Sequence, residues 1–347
     1  MNSLVFLTYN SHINNKILLL LIGFRKGVFS HMLSKKMISV LLFFLLFSFF
    51  IFPDVSFLGA KNGLYLWFRT VIPSLFPFLF VSGFILRLGL ISSFTPMLSP
   101  IFCRLFGCST SGCYPIFIGF ISGFPMGAKA CADLVKHNEI SKEEGQYLLS
   151  FVNNASPMFI TSYLASQCLQ LGNYRYIFFA LIILSCILFS FCYRLFFRKQ
   201  FTIHSKNILF KKTENKISIL TISKSLDDSI LDSFKTIVKI GGYIILFSII
   251  SQYVILLPIH FPIFQYLLIG AFEMTTAASY IGNSPFSTNI KIVLALVITC
   301  WGGLSSVFQT YSVIANTGLS IKKYCIHKLF QILFVLILGI LFTLILI

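Results

Sequence analysis

The sequence predicts an all-α polytopic membrane protein of two inverted repeats with broken or re-entrant helices, on three observations. Of 347 residues, 57% are hydrophobic, 16% aromatic and only 11% charged, with a mean hydropathy of +0.89, where an average soluble domain is roughly a quarter charged. The apolar residues fall in runs of spanning length separated by basic stretches. Several runs carry Gly, Pro, Asn or Glu at membrane depth, where irregular backbone survives only inside protein or beside a wet cavity. This composition excludes a soluble enzyme, a secreted disulfide scaffold and a DNA-binding domain. The 27 Lys and Arg against 10 Asp and Glu, net +17, read as cytoplasmic loop bias and not as nucleic-acid affinity.

Residues 1–36 form a basic amino-terminal segment, whose short apolar run at 17–24 is neither a cleavable signal nor a span. Residues 37–197 are the first transmembrane half. It opens with a helix over 37–52. A second helix over 64–90 carries Trp67 and Arg69 as interfacial anchors and is kinked by Pro73 and Pro77. GCYPIFIGFISGFPMG over 112–127 is too short and too broken for a plain span and reads as a re-entrant hairpin or broken helix. Residues 129–144 are amphipathic, with Glu143 and Glu144 solvated. Residues 147–167 are apolar around a polar centre, and 177–197 form an uninterrupted helix. Residues 198–235 make a cytoplasmic basic linker, a loop or interfacial helix. Residues 236–347 are the second half, with a helix over 237–257, an interrupted segment from Gly270, a stretch broken at Trp301-Gly302-Gly303, and a last helix over 329–347.

The halves correspond in letters. IGFISGFP from Ile118 and FVNNASPMFITSYLA from Phe151 match IGAFEMTT from Ile269 and CWGGLSSVFQTYSVIA from Cys300 in order and spacing, with few identities. Basic sites at the amino-terminus, at 194–239 and at Lys322, Lys323 and Lys328 should all face the cytoplasm, so corresponding helices run in opposite senses. The carboxy-terminus should then lie on the other side.

No Ser-His-Asp set, HExxH, P-loop or paired catalytic carboxylates occur in the spans, which argues against an intramembrane protease or an ATP-driven pump, and no enzyme is expected. The nine cysteines contain no C-x-x-C pair. Cys103, Cys108 and Cys113 are evenly spaced but have no His or carboxylate among them to complete a tetrahedral metal site. The six histidines are scattered singly. No cofactor or metal is expected.

Chemistry is expected at the interruptions, whose freed N–H and C=O groups can bind ligands. In Ser122-Gly123-Phe124-Pro125-Met126-Gly127-Ala128-Lys129, the small residues admit close backbone approach. Pro125 suits a helix start, and Lys129 adds an ammonium group to a helix amino-terminus, a reasonable anion site. The competing reading makes Gly119, Gly123 and Gly127 a packing stripe and pairs Lys129 with Asp133. Asn153, Asn154, Ser156 and Pro157 place two carboxamides in an apolar span, either to contact a polar, aromatic-sized ligand or to cap broken helix ends. Glu273, with Thr275, is the one carboxylate within 261–278. It serves a coupling proton or cation, or a structural hydrogen bond with Thr275, Thr276 or backbone. Gly303, Ser305 and Gln309 are the counterpart of the Asn-Asn site.

On these residues, FPDVSFLGAKNGLYLWFRTVIPSLFPFLF from Phe52, the stretch from Gly119 through N-N-A-S-P, GAFEMTTA from Gly270 and WGGLSSVFQTYSVI from Trp301, the chain resembles the sporulation integral membrane protein YlbJ family. Its members contain a nucleoside-recognition, or Gate, domain. Phe124 stands where Tyr is usual, and residues 1–36 depart from the family's pattern. The resemblance implies a permease moving dipicolinic acid, a small aromatic dicarboxylate, across the outer forespore membrane during sporulation, in that or the mother-cell membrane of a spore-forming bacterium. It implies a small anionic substrate and the lipid bilayer as partners. A homo-oligomer is left open. Two other functions remain, a nucleoside or other small-metabolite transporter of the Gate type and a non-transporting membrane scaffold.

Overall fold

The computed structural model describes residues 35–197 and 218–346. The basic amino-terminal segment up to residue 34 and residues 198–217 of the linker lie outside the described residues. All regular structure among the described residues is helical.

Helix α1 (Lys35–Ile51) belongs to a unit ending at Asp54, and the remainder forms a second unit. Phe43, Phe44 and Phe50 of α1 are exposed, as a lipid-facing helix requires. In the second unit α2 (Pro53–Leu66) runs through a π-helical turn (Trp67–Val71) into α3 (Ile72–Arg87), one continuous 35-residue span. The helix expected from residue 64 thus begins eleven residues earlier, at Pro53, because Gly59 and Gly63 are packing residues and not breakers. A Cβ on Gly63 would stand 2.8 Å from the Ile245 Cα. The irregular turn has a cause: Pro73 has no N–H for the Arg69 carbonyl, and the helix widens there.

Helix α4 (Ile91–Phe106), with Pro96 and Pro100 inside it, falls in a stretch to which the sequence reading assigns no element. Then come α5 (Cys113–Ser122), α6 (Met126–Lys136), α7 (Lys142–Val152), a second π-helix (Phe159–Cys168) and α8 (Arg175–Phe197). The amphipathic 129–144 stretch is therefore a helix end, a turn and a helix start. Ser141 caps α7 by accepting the Glu144 N–H at 3.0 Å. Glu144 is not solvated: it is buried, accepts the Ser109 N–H at 2.7 Å, and burial pushes its carboxyl above the usual range.

The second half holds α9 (Ile219–Leu256), α10 (Pro262–Phe272), α11 (Met274–Gly282), α12 (Thr288–Trp301), α13 (Gly303–Ile314) and α14 (Ile321–Leu346). The described part of the linker, from Ile219, is helical and continuous with the following span, so α9 reaches 38 residues. The last helix starts eight residues before the expected Leu329. By length and composition, five helices among the described residues can cross a membrane: Pro53–Arg87, Gly172–Leu195, Ile219–Leu256, Thr288–Ile314 and Ile321–Ile345.

α3 packs along α9 and α8 along α14, while α6 packs on α13 and the second π-helix on α11. The core divides into two clusters, one around α5, α6 and α7, the other around the second π-helix, α8 and α10–α12. Contact is closest where α5 and α6 meet the end of α7. A methyl on Gly119 would overlap the Val152 carbonyl, and one on Gly127 would stand 2.5 Å from the same oxygen. Gly119→Val and Gly127→Val should each lose about 1–3 kcal/mol by overpacking, read as a lower thermal midpoint in detergent. Gly242→Ala on α9, with open space at its Cβ, should leave the midpoint unchanged or raise it.

Candidate functional site

Four helices are interrupted, and each interruption has its own local cause. Between α5 and α6, Gly123 takes φ +84°, and its Cα packs so tightly on Ser156 that a Cβ would overlap that residue's backbone. Between α7 and the second π-helix the chain is extended from Asn153, and the Ser156 hydroxyl accepts the Phe159 N–H at 3.1 Å. Between α10 and α11 Glu273 is extended, and its carboxylate caps α11 by accepting the Thr276 N–H at 2.7 Å and the Thr275 hydroxyl. Between α12 and α13, Gly302 and Gly303 take φ +81° and +79°, a pair of left-handed residues that only glycine adopts without strain. A Cβ on Gly303 would stand 2.8 Å from the Phe272 carbonyl oxygen, and one on Gly302 2.7 Å from the Phe124 ring.

The interruptions surround one cavity of about 60 Å³, lined by Ser122, Ser156, Glu273, Thr275, Ser305 and Gln309 together with the apolar Phe124, Ile240 and Ile244. Gln309 donates to the Ser305 hydroxyl at 3.0 Å. The Ser122 hydroxyl is buried and has no hydrogen-bond partner. A larger cleft of about 590 Å³ adjoins the cavity, sharing Thr70 and Thr275 with it, and presents Arg69, Tyr65, Tyr163, Gln167 and Tyr280. The Arg69 guanidinium lies 4.3 Å from the Tyr65 ring centroid. About one helical turn from Ile240 and Gln309 in the other direction, Thr236, Lys239 and Ser312 line a cleft of about 250 Å³ with Lys129, Asp133, Asp232 and Lys235. Lys129, Asp133 and Asp232 also border a third cleft of about 370 Å³ with Arg87, Lys136 and His137.

Other expected site residues lie elsewhere. Gly127 packs on Val152, and Pro125 stands at the amino-terminal cap of α6. Lys129 is 2.9 Å from Asp133, the arrangement of the competing reading. Pro157 opens the helical turn that follows the break and, like Gly123 and Gly303, is not among the residues that line the cavity. Asn153 and Asn154 turn into the protein. The Asn153 amide donates to the Thr310 hydroxyl at 2.7 Å and the Tyr324 hydroxyl at 3.1 Å, and its oxygen accepts the Ala128 N–H at 3.4 Å. It thereby joins α6, α13 and α14 at one break.

Asn154 accepts a hydrogen bond from Lys328 at 2.8 Å. Lys328 is fully buried, so it is not the topology-setting surface charge that its neighbours Lys322 and Lys323 are. Its ammonium also donates to Gln331 at 3.1 Å and lies 5.7 Å from the Phe124 ring centroid. Gln331 in turn donates to Ser185 and Cys186 of α8. Among the described residues no carboxylate pairs with Lys328. The sequence reading missed this residue by starting the helix at Leu329. The available signal was a lysine followed by a glutamine three residues on, which α-helical spacing puts on one face inside an otherwise apolar run.

Several long apolar helices, a buried polar lattice and backbone interrupted around an internal cavity define an integral, multi-pass, all-α membrane protein. Over 323 residues the chain is 27% identical to the sporulation integral membrane protein YlbJ of Bacillus subtilis (strain 168), covering 83% of this chain and 79% of that one. No family model matches the chain, and no solved structure matches it.

Stranding one partner of a buried charge costs more than removing both. Asn154→Leu should therefore lower stability by about 1.5–3 kcal/mol, and the double variant Asn154→Leu/Lys328→Met should regain most of it. Thermal unfolding in detergent measures both.

Proposed function

We propose that the protein is a permease of the YlbJ family that moves dipicolinic acid, a small aromatic dicarboxylate, across the outer forespore membrane during sporulation. It is a transporter and not an enzyme. The similarity to a sporulation integral membrane protein supports the sporulation setting. The observation that carries transport is a small cavity where four broken helices meet and set Ser122, Glu273, Ser305 and Gln309 around it, with open clefts beyond it in two directions.

From the cavity, α6 and α13 lead towards the Lys129 and Lys239 cleft, whereas α11 and the second π-helix lead towards the Arg69 cleft. That opposed pairing, with α6 on α13 and the π-helix on α11, supports two inverted repeats moving about a shared centre. A cavity of about 60 Å³ has room for only a few water molecules, so it must widen to admit an aromatic dicarboxylate. The Arg69 cleft suits an aromatic anion: Tyr65, Tyr163 and Tyr280 offer ring faces, and Arg69 has no carboxylate partner among the described residues. In the cavity the Ser122 hydroxyl and Gln309 would meet carboxylate oxygens, and Glu273 would carry the coupling proton.

Proteoliposomes containing the full chain should take up labelled dipicolinate. Gln309→Leu should lower uptake about tenfold or more, the effect of losing a hydrogen bond to a charged group, at unchanged protein level. Uptake that nucleosides block and unlabelled dipicolinate does not would instead identify a nucleoside carrier. No uptake, with spores of normal dipicolinate content in its absence, would identify a scaffold. Glu273→Gln should insert normally and lose the pH dependence of flux; a pH profile unchanged by that substitution would overturn the proton role.

A further inference from the structure

Cys103, Cys108 and Cys113 argue against a metal when read along the sequence, because neither His nor carboxylate lies among them. The fold changes their relation. α4 ends at Gly107, whose φ of +60° turns the chain back beneath it, and α5 starts at Cys113. The Cys113 sulfur lies 3.4 Å from that of Cys103 and 3.8 Å from that of Cys108. All three sulfurs fall within 4.8 Å of one another. Zinc with Zn–S bonds of about 2.3 Å in tetrahedral geometry sets its sulfurs about 3.8 Å apart. Cys108 and Cys113 are buried and Cys103 is half-buried, which leaves a route for an ion and a fourth position for water.

The surroundings can balance the charge of a metal-bound trithiolate. The Arg194 guanidinium of α8 donates to the Leu105 carbonyl at 2.8 Å and stands 2.7 Å from where a Gly107 Cβ would be. It sits beside the residue preceding Cys108. Cys113 occupies the first turn of α5, a ten-residue helix whose amino-terminal dipole stabilises an anion. From α7, Glu144 and Tyr147 face the same loop. Glu144 is spent on the Ser109 N–H and Tyr147 donates to the Phe106 carbonyl at 2.5 Å, so both fix the loop instead of filling the fourth position.

We propose that Cys103, Cys108 and Cys113 form a trithiolate site for a zinc-class divalent ion, separate from the transport cavity. Binding replaces three S–H protons with one metal ion. The protons leave to solvent, no electrons move, and the complex carries one negative charge beside Arg194. Affinity therefore rises with pH as the thiols deprotonate.

The test is titration of the full-length, reduced protein in detergent with Co(II), read by the near-ultraviolet sulfur-to-cobalt absorption, followed by displacement with Zn(II). One cobalt per chain is expected, with the absorption abolished in Cys113→Ser, weakened at least tenfold in affinity in Cys103→Ser, and unchanged in Cys325→Ala. Protection of the three thiols from alkylation by Zn(II) in the unsubstituted protein gives a readout that does not depend on how well the variants fold. No absorption band, a band that persists in Cys113→Ser, or thiols alkylated equally fast with and without Zn(II) would overturn the proposal.

Discussion

The architecture depends on one constraint: backbone interrupted at membrane depth must find every hydrogen-bond partner inside the protein, since lipid supplies none. Each of the four breaks meets it locally. Ser156 and Glu273 cap the helices that follow them. The Gly302 N–H closes α12 on the Ile298 carbonyl at 2.8 Å. The Ala128 N–H, at the start of α6, is reached by Asn153 from another break. The breaks are also sealed against one another, Gly123 on Ser156 and Gly303 on the Phe272 carbonyl. That is why glycine recurs where a side chain would separate them. The cavity is the small volume these mutual contacts leave over.

The same constraint explains the buried ammonium of Lys328. An isolated charge in hydrocarbon is expensive, yet this one is tolerated because Asn154 and Gln331 turn carboxamide oxygens to it and Phe124 covers it. The break at Asn153-Asn154 is held to α14, and through Gln331 to α8, by polar bonds. Around the cavity, by contrast, the Ser122 hydroxyl has no partner. Two kinds of polar group thus occupy neighbouring positions. One is fully partnered and ties elements together. The other lines the cavity and ties no elements together.

The fold class and the four interruptions were legible in the sequence because both are carried by composition: apolar runs of the right length, and Gly, Pro, Asn or Glu within them. Element limits were less legible. Serine-rich α4 and the polar first turns of α9 are helical because they pack on α5 and α3, and tertiary contact overrides local propensity. Of the site, Ser122, Ser156, Glu273, Thr275, Ser305 and Gln309 do line one cavity. Which way a polar group turns was not legible. Asn153 and Gln309 are both carboxamides in interrupted helices, and only three-dimensional neighbours decide that one clamps three helices while the other borders open space.

The net charge of +17 divides by environment in a way that counting cannot reach. Lys129, Arg87 and Lys235 stand opposite Asp133, Asp228 and Asp232, while Lys136 and Lys239 line the same two clefts outside these pairs. Such part-exposed pairs add little stability. Arg69 at the other cleft has only an aromatic ring beside it. Lys328 has only neutral acceptors. Arg69 and Lys328 thus lie at a cleft joined to the cavity and against the break that frames it, each beside neutral partners. On the permease reading, an anion would meet carboxylates beside the cations at one cleft and an arginine beside aromatic rings at the other, so its binding energy would differ along the route even if the backbone were perfectly symmetric.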